Sequence, residues 1–163
     1  MAFPPTSSLR DLMDAPMRPG AVTWIGVRGA RRAPMTALQT VAVVAGEGLI
    51  GDRYSRRDGA RQATLIAAES LKAIASHLGR ETVLPEDLRR NIVVEGLNLL
   101  ALKERRFQIG TGIFETTGEC HPCSFLEAQL GVGGYNAARG LGGITARVIQ
   151  SGQLSVGDRV VRL

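Results

Sequence analysis

Glycine punctuates this chain, and that restricts its fold more than any other feature. Twenty of the 163 residues are Gly and seven are Pro. Between them the apolar sequence falls into short β-branched runs rather than long helical periods. Residues 22–27, 40–44, 62–66, 107–109, 113–117, 144–150 and 159–163 read as strands, with Trp24 buried in the first. Helices are few and short. Ser8 and Asp11 offer a capping signal for one that ends before Pro16. Residues 67–78 make the best helix, with Leu71, Ile74, Ala75 and Leu78 on one face, and shorter ones start at Leu84-Pro85 and Ser124. Residues 28–34 form a basic turn, Asn98 a turn in the apolar stretch 97–102, and residues 131–143 a Gly-rich stretch. This pattern predicts a mainly β fold, a small barrel or sandwich with a few short peripheral helices. Residues 1–19 read as an N-terminal extension and 20–163 as one domain.

A hydrophobic share of 44% with 21% charge describes a globular chain rather than a disordered one. The formal charge of +5 comes almost wholly from arginine, since Lys72 and Lys103 are the only lysines. A guanidinium fork suits phosphate and carboxylate, so an anionic partner fits; a solvated basic surface gives the same count. Aromatics are 4% of the chain, too few for a stacking platform, and there is no recognition helix, so nucleic acid is not an expected partner. No run approaches the roughly 18 apolar residues that cross a bilayer, so no membrane is expected. Neither is a signal peptide, since Pro4, Pro5, Pro16 and Pro19 break the N-terminus. The expected compartment is the cytoplasm, with reduced thiols.

Chemistry concentrates at Thr117-Gly-Glu-Cys-His-Pro-Cys123, which holds the only two cysteines, Cys120 and Cys123. A thiolate is both a soft metal ligand and a sulfur nucleophile, and the start of a helix favours it. The pair reads as half a zinc site, but only His77 and His121 remain as soft ligands. It also reads as a redox dithiol, though without the βαβ unit that such a motif accompanies. For Cys120 a third reading is a small buried hydrophobe.

Three further segments qualify. Gly48-Leu-Ile-Gly51 followed by Asp52, Arg53 and Tyr54 bends tightly and sets an acid beside a base, with Arg56, Arg57 and Arg61 after it; an ordinary turn with a surface ion pair reads the same way. Arg89, Arg90 and Asn91 stand at a helix-to-strand junction and could hold a phosphate bidentately, or cap a solvated helix end. Arg139 sits among the glycines 133–143, which match neither a P-loop nor a dinucleotide fingerprint. No Ser-His-Asp arrangement stands out. Glu69 and His77 read as helix-end residues.

In this order, Gly48 to Arg53, Arg61 to Ile66, Arg89 to Val94, Thr117 to Cys123 and Gly140 to Gly143 with Arg147 resemble the MOSC domain, found in molybdenum-cofactor sulfurases and in small stand-alone bacterial proteins. The resemblance implies a barrel-like fold and a site built around one cysteine, Cys123, as molybdenum ligand or persulfide carrier; whether Cys120 assists it, for example by resolving a persulfide, stays open. It implies the molybdenum cofactor, or molybdopterin, an anionic pterin. Its contacts would come from Asp52, Arg53, Arg61, Arg89, Arg90, Asn91, Arg139 and Arg147. Two activities follow: reduction of N-hydroxylated substrates with electrons from a partner, or sulfur transfer with a cysteine desulfurase. A pyridoxal phosphate site is not expected within 163 residues.

Overall fold

The computed structural model describes residues 4–54 and 59–163. In chain order it runs α1 (Leu9–Asp14), β1 (Gly20–Val27), β2 (Thr36–Leu38), β3 (Thr40–Val44), β4 (Gly48–Leu49) and β5 (Ala63–Ala67). Then come α2 (Ala68–His77), α3 (Pro85–Leu88), β6 (Ile92–Glu95), a 3-10 turn (Leu99–Leu102), β7 (Arg106–Ile109) and β8 (Gly112–Glu119). Last are α4 (Ser124–Leu130), α5 (Gly134–Ala138), β9 (Ile144–Gln150), β10 (Gly152–Ser155) and β11 (Arg159–Arg162).

Seven of these strands close on themselves in the order β11-β7-β8-β9-β5-β6-β1, the ring completed where Gly20 and Ala21 pair with Val160 and Arg159. Closure leaves the ring no free edge, the usual difficulty of short β sequences. Strand β2 hangs on β1, while β10, β3 and β4 form a small separate sheet. Every pairing is antiparallel except β5 with β6. A parallel neighbour needs a crossover, and here α2 and α3 supply it.

Two apolar clusters result. Inside the barrel lie Ile25, Leu65, Ile92, Phe107, Phe114 and Ile144 among others. Phe107 and Phe114 face each other across β7 and β8, stacked 5.4 Å apart. Outside the barrel, Ile66, Leu71, Ile74, Leu88, Leu126 and Leu130 pack under α2, α4 and α5. Strand β5 serves both, Leu65 inward and Ile66 outward, which is why its first four residues are all buried. Each such side chain contributes about 2 kcal/mol on burial.

Helix α1 carries the expected Ser8–Asp11 capping box. Trp24 departs from expectation: β1 has a bulge between Val22 and Trp24, and the indole lies half-buried against the outer cluster. Strands β2, β4 and β10 and helix α5, each of five residues or fewer, are not among the elements read from the sequence. Asn98 makes its turn by accepting from the Leu100 N–H. No helix among the described residues is long and apolar enough to cross a membrane.

Candidate functional site

The loops after β1 and β8 and those before β5 and β6 meet around one cavity of about 370 Å³. A buried polar cluster holds these loops together. Asp52, 7% exposed, accepts through Oδ1 from the Arg28 N–H (3.1 Å) and from Asn91 Nδ2 (3.2 Å), and through Oδ2 from the Tyr54 N–H (3.1 Å). Asn91 Oδ1 accepts from both the Thr64 N–H and its hydroxyl, each at 3.0 Å, and Nδ2 also donates to the Gly26 carbonyl. Four segments distant in sequence are thereby fixed, with nearly every polar group in the cluster partnered, as burial requires. The local sequence explains how Asp52 arrives there. Gly51, at φ 88°, is the third residue of a turn closed by the Asp52 N–H to the Leu49 carbonyl, and that position demands positive φ in a type II turn.

Above this floor stand, among the described residues, seven arginines: Arg28, Arg31, Arg32, Arg53, Arg61, Arg89 and Arg90. Among the described residues no Asp or Glu lines the cavity with them. Arg28 is 7% exposed, yet its Nη1 has no hydrogen-bond partner. Burial, and after it the Arg89 guanidinium, lowers its pKa, with Tyr54 and Asp52 opposing. Arg28 and Arg53 both lie over the Tyr54 ring, at 5.9 and 4.7 Å, and Arg89 lies 4.0 Å from the centroid of Phe125. Arg90 is tethered by backbone: Nε donates to the Gly142 carbonyl (2.7 Å) and Nη1 to Leu88 (2.6 Å). Its pKa too is lowered, by burial first and then by Arg61, while Cys120 and Cys123 pull it back up.

Cys123 is exposed, lines the cavity and stands at the position before α4. Cys120 is buried at 3% exposure and does not line it; its N–H donates to the Gly143 carbonyl (2.9 Å). Among the described residues no three of His, Cys, Asp and Glu converge as a metal site.

Of the residues singled out in the sequence, the structure brings together Arg53, Tyr54, Arg61, Arg89, Arg90, His121 and Cys123. Asp52 and Asn91 lie beneath the cavity rather than in it, because their polar atoms are spent on the loops. Arg139 and Arg147 do not reach it. Arg139 is exposed at the end of α5. Arg147 faces outward between buried Ala146 and Val148, and its guanidinium bonds Glu115. Glu69 accepts from the Gly96 N–H and His77 Nδ1 meets the Ala137 carbonyl, so both are structural. Arg56 and Arg57 lie outside the described residues. Sequence reading missed Arg28, Arg31, Arg32 and Phe125 as site residues. The signal available was a basic turn placed directly after a strand end.

No curated protein matches this chain. Solved structures do. YuaD from Bacillus subtilis superposes with a TM-score of 0.77 at 20% identity, over 88% of this chain and 94% of that one. YiiM from Geobacillus stearothermophilus gives 0.72 at 19%, over 89% and 75%. YiiM from Escherichia coli gives 0.69 at 16%, over 90% and 70%. At such identities the likeness establishes the fold. The sequence itself matches the MOSC domain model over residues 42–161, the span that includes the cavity's cysteine and most of its arginines, and this chain therefore belongs to the MOSC domain family.

Proposed function

We infer that this chain shares the link to molybdenum-cofactor binding that is general among MOSC domains. We propose that this chain holds that cofactor in the arginine-lined cavity, with Cys123 as its thiolate ligand to the metal, and reduces N-hydroxylated substrates. The observation that carries the reading is the placement of an exposed cysteine in the same cavity as seven guanidiniums, one of them buried with an unpartnered Nη1. A buried cation without a partner is costly unless a ligand completes it, and a phosphate-bearing pterin brings the missing acceptor.

The donor set fits the group chemically. Soft thiolate suits a metal already ligated by sulfur. Arg28 and Arg53, stacked on Tyr54, and Arg61, Arg89 and Arg90 offer charge-assisted donors for its phosphate. When bound, the cofactor would supply two-electron redox chemistry at the metal. The chain's part is to fix the thiol beside Arg90 and to keep the phosphate oriented through the Asp52–Asn91 floor. Two cysteines cannot hold a four-thiolate cluster, so electrons come from a partner protein.

Exposure of Cys123 also favours a second reading, in which a desulfurase delivers sulfur to it as a persulfide. Protein from a cofactor-competent host separates the two. Stoichiometric molybdenum and pterin, both lost in Cys123→Ala, support the first. A mass gain of one sulfur on Cys123 after desulfurase treatment, with no metal retained, replaces it with the second.

A further inference from the structure

Seven guanidiniums exceed what one phosphate uses, since that group carries about two negative charges and two forked donors engage it fully. Among the described residues none of the cavity arginines takes part in an ion pair. The excess is also directional. Arg28 and Arg53 share the Tyr54 ring, whereas Arg32 and Arg89 line both this cavity and a neighbouring one of about 370 Å³. Those last two share a further trait. Only three described non-glycine residues have positive φ, and Arg32 (65°) and Arg89 (55°) are two of them. A long side chain held in that region marks a place where geometry outranks backbone comfort.

The neighbouring cavity is chemically different. Pro34 and Met35 give it an apolar wall, and Glu86 enters it with Oε2 buried and unpartnered. Asp87, also lining it, is already occupied by the Leu84 N–H. A lone buried carboxylate oxygen asks for an N–H or O–H donor.

We infer that the site takes a diphosphate ester. One phosphoryl group lies on Arg28 and Arg53, the second at the shared wall of Arg32 and Arg89. An organic group bearing N–H or O–H donors then enters the neighbouring cavity against Glu86. The ligand is either the cofactor itself or the substrate it acts on. This deepens the cofactor reading by naming the anion class, and it rests on that reading only for which molecule supplies the anion.

Calorimetric titration of metal-free protein at about 0.15 M salt with phosphate, pyrophosphate and ADP tests it. Pyrophosphate should bind at least tenfold tighter than phosphate, and ADP tighter again. Arg32→Gln should bring pyrophosphate down to the phosphate level, and Glu86→Gln should remove the ADP increment alone. Arg147→Gln, outside the cavity, should change neither. Equal affinities for phosphate and pyrophosphate, or an Arg32→Gln protein indistinguishable from the parent, overturns the inference. The titrated protein holds no metal, so failure of metal binding and failure of this proposal read out separately. ADP binding that survives cofactor loading assigns the ester to the substrate; ADP excluded by loading assigns it to the cofactor.

Discussion

Arginine does two different jobs in two regions of this barrel. On the outer face of β7, β8 and β9, Arg106 and Arg147 converge on the Glu115 carboxylate, and near the N-terminal helix Arg105 meets Asp14 while Arg162 donates to the carbonyls of Met13, Asp14 and Ala15. There the guanidinium tip is the anchored end. At the cavity, among the described residues, only Arg90 is held by its tip, on two carbonyls; Arg53 and Arg89 lie over aromatic rings, and Arg28 keeps a free Nη1. The lesson is that net charge says little about function until each cation's partner is known. A satisfied guanidinium is structure, and an unsatisfied buried one is stored binding capacity.

The sharpest way to break this contrast is to disturb a tether rather than a charge. A Cβ on Gly142 would fall 2.0 Å from the Cys120 carbonyl oxygen and 3.5 Å from Arg90 Nη2. Backbone cannot yield as a flexible side chain can, so Gly142→Ala must part the cysteine loop from the loop before β9 and unhook Arg90. The expected cost is roughly 3 kcal/mol, or on the order of 10 °C in Tm for a chain of this size, by thermal melting. An unchanged melt would mean that Arg90 is not held from below.

That glycine also shows what the sequence could and could not reveal. Close backbone approach was legible in the stretch 131–143, but its target, the Cys120 carbonyl, belongs to the loop after β8, more than twenty residues earlier. The strands that build the barrel were legible because β-branched runs between glycines have one plausible use; the Cys123 site was legible because its motif is local. Arg28 was not, since a basic turn looks alike whether it faces solvent or a cavity, and only the Asp52 contact to its backbone N–H decides. Arg147 lies outside the cavity, and the sequence itself carries the signal for that. Alternation along β9 sets Ala146 and Val148 inward and so points Arg147 out. Asp52 can be read from sequence as a residue that orients an arginine, but its partner Arg28 and the bonds of Asn91 cannot, because they bridge segments far apart in sequence.

A smaller effect tests whether cavity arginines are placed at the expense of stability. Arg89 caps α3 in the left-handed region (φ 55°, ψ 43°), where glycine is the favoured residue. Arg89→Gly should remove backbone strain and a mutually repelling cation beside Arg28, giving a gain of about 0.5–1 kcal/mol. The same variant should bind pyrophosphate more weakly. Denaturant melts and titration together check the pair of outcomes; a loss of stability would contradict the account of strain.

The smallest expected effect lies on the paired face and has the opposite sign. Hydrogen bonds from Arg147 first, and from Arg106, lower the Glu115 pKa below its ordinary 4.5. A carboxyl depressed in the folded state binds its proton less readily there than when unfolded, so the pair stabilises the fold above the unfolded value and ceases to as pH falls through the folded one. Solvent screens an exposed pair, which limits the contribution to about 0.5 kcal/mol. Glu115→Gln should therefore cost that much at neutral pH and nothing once the pH lies below the depressed pKa, measured by melts from pH 7 downward. Removing a charge from the paired face weakens the barrel, whereas removing one from the cavity strengthens it, and a Glu115→Gln protein more stable than its parent at pH 7 would erase the distinction between the two regions.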